Sequence, residues 1–335
     1  MVPTIVVIPG DCIGPEVMRE ALRVVDMVAG DCDVQEALLG AAALREHGTP
    51  LPPQTLAACV ESSAILKAPV GDPEFDDAPV RPEVGIFELR QLLGVYCNVR
   101  PARRGDIDFV IVRELLGGLY YGARGTRPDG TVFDTCEYHP SEVERIVRAA
   151  AKIARGRRGQ LTSVDKSNVL ATSKMWRATA QRVATEFPDV AVDHLLVDNV
   201  AMQLVQRPQR FDVIVTENMF GDILSDQAAG LTGGLGMAGS ASLADDGPGL
   251  FEPVHGSAPD IVGRGVANPV GMLRATAMML RFGLGREESA DLVERAIDDA
   301  TERVQTPDMG GTATTEQVGD AVLRSLENEL ARSGT

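Results

Sequence analysis

Residues 7–17, VIPGDCIGPEV, pass from a strand to a helix across a short polar turn. The apolar run that enters this stretch from residue 4 is typical of a buried strand, and residues 14–30 carry apolar side chains at helical spacing before a glycine. The turn allows three interpretations: a nucleotide-binding turn, a redox site built on Cys12, or a strand-to-helix corner. The remainder of the chain is needed to choose among them.

The same alternation of strand and helix continues along the chain. Strands are predicted within the ranges 64–69, 108–115 and 211–218, and helices over 141–157, 176–187, 271–285 and 289–304. Ser141 is the predicted cap of the first of these helices, because Glu144 follows it three residues later. Strands that alternate with helices predict an α/β architecture. No Pro/Gly/Ser-rich linker divides the chain, so two domains, if present, are interleaved.

Charge and hydropathy exclude several classes of partner. The formal net charge is −16 over 335 residues, and a strongly acidic chain repels nucleic acid and anionic membranes. No apolar run approaches the roughly 20 residues of a membrane helix. The N-terminus lacks the basic start of a secretion signal, which makes the cytoplasm the expected location. An anionic small molecule must therefore be bound by local arginine or lysine against the overall field.

The cysteines do not form a recognisable framework. They are odd in number, widely spaced and without a CxxC pair: Cys12, Cys32, Cys59, Cys97 and Cys136. This pattern disfavours disulfides and metal–thiolate sites and favours free thiols in a reducing compartment. Only Cys12 remains a candidate for chemistry, because of its position in the first turn.

A pair of carboxylates in FGDILSDQAAG, residues 220–230, indicates a cation site. Asp222 and Asp226 are four residues apart and share one helix face, where like charges are destabilising unless a cation lies between them. The alternative is a solvated acidic face. The apolar neighbours Phe220, Ile223 and Leu224 favour the cation, and oxygen ligands favour Mg²⁺ or Mn²⁺ over zinc. Asp198, at the start of another helical stretch, offers a third carboxylate.

Three arginines lie in apolar or strand-like contexts: Arg90, Arg100 and Arg113. Each alone is more typical of a structural salt bridge, but guanidinium groups bind carboxylates in two-pronged fashion. Three of them beside an acidic metal site indicate a substrate with more than one carboxylate. Lys166 and Tyr120 are either a proton-transfer pair or an ordinary surface lysine and core tyrosine.

The stretch FEPVHGSAPDIVGRGVANP, residues 251–269, is a candidate dinucleotide site. Its Gly-Ser-Ala turn beside His255 can present backbone N–H groups to a phosphate, and Asp260 can accept hydrogen bonds from a ribose. No GxGxxG lies between a strand and a helix, so a dinucleotide must bind by a mode other than the Rossmann one.

Six motifs in this order resemble the isocitrate and isopropylmalate dehydrogenase family of β-decarboxylating dehydrogenases: IPGDxIGPEV, VREL…GGLYYG, VDKSNV, VDNVAMQLV, FGDILSD and FEPVHGSAPDI…ANP. The resemblance spans nearly the whole chain. It implies a two-domain α/β fold without a Rossmann fold. Residues 1–95 with 234–335 would form the cofactor domain, and residues 96–233 would hold the metal aspartates and form a homodimer.

The family's residue roles transfer to matching positions. Arg90, Arg100 and Arg113 would bind the malate carboxylates, and Lys166 and Tyr120 would transfer protons. Asp222 and Asp226 would bind Mg²⁺ or Mn²⁺, joined by Asp198 from the partner subunit, which would also supply Lys166. The residues expected around NAD are Ile13, Glu252, His255, Gly256, Ser257, Ala258, Asp260 and Asn268. NADP users of the family carry lysine in place of Asp260, so NAD is the expected cofactor.

The expected substrate is a 3-substituted malate. Ile86 and Phe87, with Val169 from the partner, would form an apolar pocket for the C3 substituent, which favours 3-isopropylmalate, the precursor of 2-oxoisocaproate in leucine biosynthesis. Homoisocitrate or another 3-substituted malate is the alternative, and a non-catalytic regulatory subunit is a remote one. The family usually has glycine in place of Cys12, so the first turn is interpreted as a cofactor-side corner rather than a redox centre.

Overall fold

The computed structural model describes residues 2–333. The strands are β1 (Thr4–Ile8), β2 (Asp33–Glu36), β3 (Ala64–Lys67), β4 (Cys97–Arg104), β5 (Ile107–Glu114), β6 (Arg124–Thr126), β7 (Val132–Asp134), β8 (Gln160–Asp165), β9 (Ala191–Leu196), β10 (Val213–Thr216), β11 (Gly239–Leu243) and β12 (Gly249–Pro253). The helices are α1 (Gly14–Ala29), α2 (Ala41–His47), α3 (Pro53–Glu61), α4 (Glu83–Leu93), α5 (Pro140–Arg155), α6 (Ala171–Ala184), α7 (Val197–Gln206), α8 (Asn218–Leu231), α9 (Val270–Met278), α10 (Glu287–Thr301) and α11 (Thr315–Ser333). The predicted α/β class is confirmed. None of the helices in the described part of the chain is both long and apolar enough to cross a membrane.

Two compact units divide the chain: a terminal unit, Met1–Val95 with Gly233–Thr335, and a central unit, Tyr96–Thr232. In the terminal unit the strand order is β2-β1-β3-β12-β11. β1 runs parallel to β2 and β3, and β12 runs parallel to β3, whereas β11 is antiparallel to β12. Parallel strands need helical crossovers, and α1 and α3 supply them between β1, β2 and β3.

The first turn is a strand-to-helix corner organised by Asp11. The Asp11 carboxylate is buried and accepts hydrogen bonds from the backbone N–H groups of Ala41 and Ala42, each at 3.0 Å, and of Gly71 at 2.9 Å. Cys12 adopts a left-handed φ of 54°, a conformation that favours glycine. Burial, followed by the nearby Asp72, raises the pKa of the Cys12 thiol, which is the opposite of thiol activation. All five cysteines are free.

The central unit contains a sheet with the strand order β4-β5-β10-β8-β9 and a separate β6–β7 hairpin. β4 is antiparallel to β5, and the other neighbouring pairs are parallel. β10 is buried along its whole length, as expected for an inner parallel strand. The carboxyl ends of β5, β8 and β10 therefore meet at one edge of this sheet, the edge where α/β proteins bind ligands.

Three local predictions differ from the structure. Helix α5 begins at Pro140, and His139 rather than Ser141 caps it, since the His139 Nδ1 accepts from the Ser141 N–H and the Glu142 carboxylate accepts from the His139 N–H at 2.7 Å. Within the strand predicted over 211–218, only β10 is observed as a strand. It cannot extend further because Glu217 caps α8 by accepting from the backbone N–H of Phe220 at 2.8 Å. The helix predicted over 271–285 changes into a π-helical turn after residue 278.

Candidate active site

Arg113 and α8 define the centre of the site in the central unit. Arg113 lies at the end of β5, beside Thr216 at the end of β10, and only 4% of its surface is exposed. Gly221 permits the close approach of α8, because a Cβ at that position would lie 2.7 Å from the Arg113 Cγ. The next residue along α8, Asp222, thereby comes into contact with the Arg113 guanidinium.

Two guanidinium groups face the two aspartates of α8. The Arg113 Nη1 forms an ion pair with Asp222. The Arg100 Nη2 lies 3.5 Å from the Asp222 Oδ1, and its Nη1 lies 3.4 Å from the Asp226 Oδ1. Burial, opposed by Arg100 and reinforced by Asp222, raises the pKa of Asp226. The like charges of the two carboxylates are thus offset by arginines at the place where the sequence predicts a cation.

Tyr120 completes this cluster. Its hydroxyl group donates a hydrogen bond to the Asp222 Oδ2 at 3.0 Å, and its ring lies 5.6 Å from the Arg113 guanidinium carbon. Burial and the Asp222 carboxylate raise the pKa of the Tyr120 phenol, so the phenol is protonated at neutral pH. A protonated phenol beside a carboxylate-binding arginine can act as a general acid.

The loop that carries Tyr120 is attached to a buried carboxylate. Glu114 accepts hydrogen bonds from the backbone N–H groups of Leu116 at 3.2 Å and Gly117 at 2.8 Å. Burial raises the pKa of Glu114 to about 7, although the Arg145 guanidinium donates to it at 3.0 Å. Gly117 has no room for a side chain, because a Cβ there would lie 2.6 Å from the Tyr138 ring.

Lys166 and Asp198 form a separate pair in the central unit. The Lys166 Nζ lies 2.5 Å from the Asp198 Oδ1, and this contact lowers the pKa of Asp198. Lys166 follows β8, and Asp198 lies in the first turn of α7. Within residues 2–333 of one chain, no three histidine, cysteine, aspartate or glutamate side chains are arranged to hold a metal ion. Asp222 and Asp226 offer only oxygen donors, which fit Mg²⁺ or Mn²⁺, but Asp198 does not join them within a single chain.

Arg90 lies in the terminal unit and is bound to Glu252. The Arg90 Nη2 is 2.7 Å from the Glu252 Oε1, and the Lys67 Nζ is 2.7 Å from the Glu252 Oε2. Burial alone would raise the pKa of this carboxyl, but the two cations lower it to about 2. Glu252, expected at the cofactor, therefore also anchors an arginine expected at the substrate.

The loop after β12 holds the remaining residues expected at the cofactor. The backbone N–H of Ile13 donates to the Ser257 carbonyl at 3.1 Å, which joins the first turn to this loop. Ala258, two residues after the open Gly256, has a left-handed φ of 44°, and Asp260 is exposed. The Asn268 amide donates to Asp308 at 3.0 Å.

His255 in this loop has a nitrogen suited to a ligand. Its Nδ1 lies 2.9 Å from the Gly256 carbonyl, and its Nε2 is buried without a hydrogen-bond partner among the described residues. Burial lowers the pKa of His255, so the ring is neutral. Because an unpaired buried polar atom is costly, this nitrogen fits a ligand that hydrogen-bonds to it, as a dinucleotide would.

The residues expected around the C3 substituent differ in exposure. Ile86 is buried and packs in the core of the terminal unit with Val6, Ile8 and Leu89. Phe87, next to it on α4, is 39% exposed. Val169, in the central unit, is 65% exposed. Phe87 and Val169 are therefore the members of this set that present apolar surface to a ligand or a partner.

Sequence reasoning overlooked four buried polar residues. Three of them bind predicted side chains, Lys67 to Glu252, Asn98 to Arg100 and Asn218 to Arg113, and the fourth, Glu114, holds the loop that carries Tyr120. Each stands in or beside an apolar strand run, which is an unusual place for a polar side chain. A polar residue within an apolar strand run was therefore the signal that the sequence offered. It marks a residue as paired, but it does not identify the partner.

Comparison with known proteins agrees with this architecture. The model of the isocitrate/isopropylmalate dehydrogenase family matches residues 4–322. The chain therefore belongs to this family. It is 46% identical to the 3-isopropylmalate dehydrogenase of Streptococcus mutans, covering 96% of this chain and 99% of the relative, and 47% identical to that of Anaeromyxobacter dehalogenans, with the same coverage.

Solved structures show the same fold. The isocitrate dehydrogenase of Methylococcus capsulatus superposes with a TM-score of 0.91 at 37% identity, covering 97% of this chain and 99% of that one. A β-decarboxylating dehydrogenase of Thermococcus kodakarensis superposes with a TM-score of 0.86 at 36% identity, covering 100% of this chain and 99% of that one. The predicted family and its fold are confirmed.

Proposed function

We propose that the protein catalyses the oxidative decarboxylation of 3-isopropylmalate to 2-oxoisocaproate, a step of leucine biosynthesis, with NAD and Mg²⁺ or Mn²⁺. The observation that carries this proposal is the convergence of Arg100, Arg113 and Tyr120 on Asp222 and Asp226. Two guanidinium groups, two carboxylates and a protonated phenol match a dicarboxylate substrate, a divalent cation and a proton donor.

The residues of the chain have distinct proposed roles. Arg100 and Arg113 bind the malate carboxylates, and Arg90 of the terminal unit is the third carboxylate-binding arginine. Lys166, supplied by a second subunit, takes the proton of the substrate hydroxyl, and Tyr120 delivers a proton to the product carbon.

Asp222 and Asp226, with Asp198 of a second subunit, would hold the divalent cation, and the loop around His255 would hold NAD. When bound, the cation would stabilise negative charge on the oxygen at C2, and NAD would accept the hydride. The terminal unit is accordingly proposed as the cofactor-binding domain, and the central unit as the metal-binding and dimer-forming domain.

A homodimer with shared active sites is part of the proposal. Asp198 lies with Lys166 rather than with Asp222 and Asp226, so a second copy is required to bring the three carboxylates together. Exposed apolar side chains on α7 and α8 favour such an association: Met202, Val205 and Ile223. The five free cysteines support the cytoplasm as the location.

A panel of malates tests the substrate. NADH formation is measured with malate, 3-isopropylmalate, isocitrate, homoisocitrate and tartrate in the presence of Mn²⁺. We expect 3-isopropylmalate to exceed both tricarboxylates by at least ~100-fold in kcat/KM, because a charged arm against Phe87 and Val169 would lose its hydration without a partner. Preference for homoisocitrate would overturn this use of Phe87. Unchanged NADH formation after removal of the metal with EDTA would overturn the metal-dependent reaction.

A further inference from the structure

Each arginine of the central cluster is bound through its Nε by the side chain of a buried asparagine. The Arg100 Nε donates to the Asn98 Oδ1 at 2.8 Å, and the Arg113 Nε donates to the Asn218 Oδ1 at 2.9 Å. Asn98 is 1% exposed and Asn218 is 0% exposed. The two arginines, which differ in position along the chain, thus have the same kind of neutral acceptor on the same edge of the guanidinium group.

The sheet explains why the asparagines reach these positions. Asn98 and Arg100 are two residues apart on β4, so their side chains lie on the same face of the strand. Asn98 is also the cross-strand partner of Arg113 on β5. Asn218 is the first residue of α8, and only Glu217 separates it from the end of β10. The Nε edges are held by the asparagines, while Nη atoms face Asp222 and Asp226.

A neutral acceptor has a consequence that a carboxylate would not have. An amide oxygen fixes the plane of a guanidinium group without adding a negative charge to those of Asp222 and Asp226, whereas a further carboxylate would add one and oppose the binding of a substrate carboxylate. Elsewhere in this unit, Nε atoms of arginine do bind carboxylates: Arg157 with Asp212, Arg177 with Asp165, and Arg148 with Glu186, each at 2.8 Å. The asparagines therefore distinguish the two proposed substrate arginines from these structural ones.

Asn218 makes hydrogen bonds beyond the one to Arg113. Its Nδ2 donates to the carbonyl oxygens of Leu115 at 3.1 Å and Gly117 at 2.9 Å, in the loop that leads to Tyr120. Its backbone N–H donates to the Tyr138 hydroxyl at 2.9 Å. One buried amide thereby connects the Arg113 guanidinium to the segment that carries the proposed proton donor.

We propose that Asn98 and Asn218 are positioning residues of the reaction: Asn98 orients Arg100, and Asn218 orients both Arg113 and the Tyr120 loop. This inference rests on the proposed function, because it assigns the two arginines to the substrate carboxylates. It predicts different kinetic consequences for the two asparagines. Loss of Asn98 weakens substrate binding, whereas loss of Asn218 weakens binding and slows the proton transfer as well.

A double-mutant cycle tests whether each asparagine acts through its own arginine. Asn98→Leu and Asn218→Leu remove the acceptor and keep the branched shape of the side chain. Each is combined with Arg100→Lys and with Arg113→Lys, since lysine has no Nε donor. The substrate is the malate that the wild-type enzyme uses best. We expect Asn98→Leu to raise KM about tenfold and to have no further effect in the Arg100→Lys background. We expect Asn218→Leu to raise KM and to lower kcat, each about tenfold, and to remain effective in the Arg100→Lys background.

Controls separate positioning from general stability. Ser163→Ala removes another buried hydrogen bond of the central unit, the one accepted from the Trp176 Nε1 at 3.2 Å, and it is expected to leave KM and kcat unchanged. If the leucine variants do not fold, Asn98→Asp and Asn218→Asp replace them in the kinetic measurements. They keep an acceptor oxygen but add a negative charge beside the arginine, and we expect KM to rise about tenfold or more because this charge repels the substrate carboxylate. Thermal unfolding followed by circular dichroism establishes that each variant is folded.

The outcomes of this experiment are distinct. An active wild-type enzyme whose folded Asn98 and Asn218 variants keep KM and kcat would overturn the positioning role alone. Equal effects of Asn98→Leu in the Arg100→Lys and wild-type backgrounds would also overturn it, because the asparagine would then act independently of the arginine. No NADH formation by the wild-type enzyme with any malate would overturn the proposed function and, with it, this inference.

Discussion

Replacing Glu252 with glutamine should destabilise the terminal unit in a pH-dependent manner. Glu252 lies between the Lys67 ammonium and the Arg90 guanidinium, with its carboxylate oxygens 2.7 Å from each cation. Glutamine keeps the shape of the side chain and one accepting oxygen, but it leaves two cations around a neutral group. Breaking a buried ion pair from one side costs about 3–5 kcal/mol in measured cases.

The pKa of Glu252 gives a second measure of the same effect. A folded-state pKa of about 2, compared with the ordinary value of 4.5, corresponds to roughly 3 kcal/mol, since each tenfold change in proton affinity is worth about 1.4 kcal/mol. Because the folded-state pKa is lower than the unfolded one, this stabilisation is present above pH 4.5. It is lost as the pH falls from 4.5 to 2.

The assay is urea unfolding of the wild-type protein and Glu252→Gln, followed by far-ultraviolet circular dichroism at several pH values between 7 and 2.5. We expect the wild-type protein to be about 3 kcal/mol more stable than the variant at pH 7, and the difference to shrink below pH 4.5. Glu329→Gln is the matched control, because Glu329 pairs with Arg295 at the surface of the same unit and should contribute little. Equal stability of the wild-type protein and Glu252→Gln at pH 7, or a difference that persists at pH 2.5, would refute this reasoning.

Three further predictions concern the first turn, the shared site and the specificity. Cys12→Gly removes the backbone strain of a non-glycine residue at positive φ, but it also raises the conformational entropy of the unfolded chain, and each effect is worth ~1 kcal/mol. The melting temperature and kcat should therefore stay close to those of the wild-type protein. Loss of activity would indicate a thiol enzyme. Mixing the two inactive variants Lys166→Ala and Asp222→Asn, after dissociation and reassociation, should restore about a quarter of wild-type activity, because half of the dimers carry one intact site; no recovery would contradict shared sites. Phe87→Arg should lower kcat/KM for 3-isopropylmalate and raise it for homoisocitrate, which carries a carboxylate on its C3 arm; an unchanged ratio would exclude Phe87 from the pocket.

Local patterns were sufficient for the fold class and for several elements. The apolar run of β1, the helical spacing of α1 and the glycine at its end depend only on neighbours within a few residues, and the structure contains both elements there. Asp222 and Asp226 lie one turn apart on α8 because a spacing of four permits little else in a helix. The prediction that Ser141 caps α5 was wrong, because proline favours the first position of a helix and Pro140 begins the helix before Ser141.

The partners of the buried charged groups could be decided only by the tertiary structure. Glu252 meets Arg90 across 162 residues of sequence, and Arg113 meets Asn218 across 105, so no periodicity within a window relates them. Strand register brings Asn98 beside Arg113, and register depends on how whole strands pair in the sheet. The sequence by itself therefore determined the kinds of element and the family motifs they carry. The sheet determined which polar side chain satisfies which charge, because a buried charge without a partner is costly and its partner can come from any segment that the fold brings beside it.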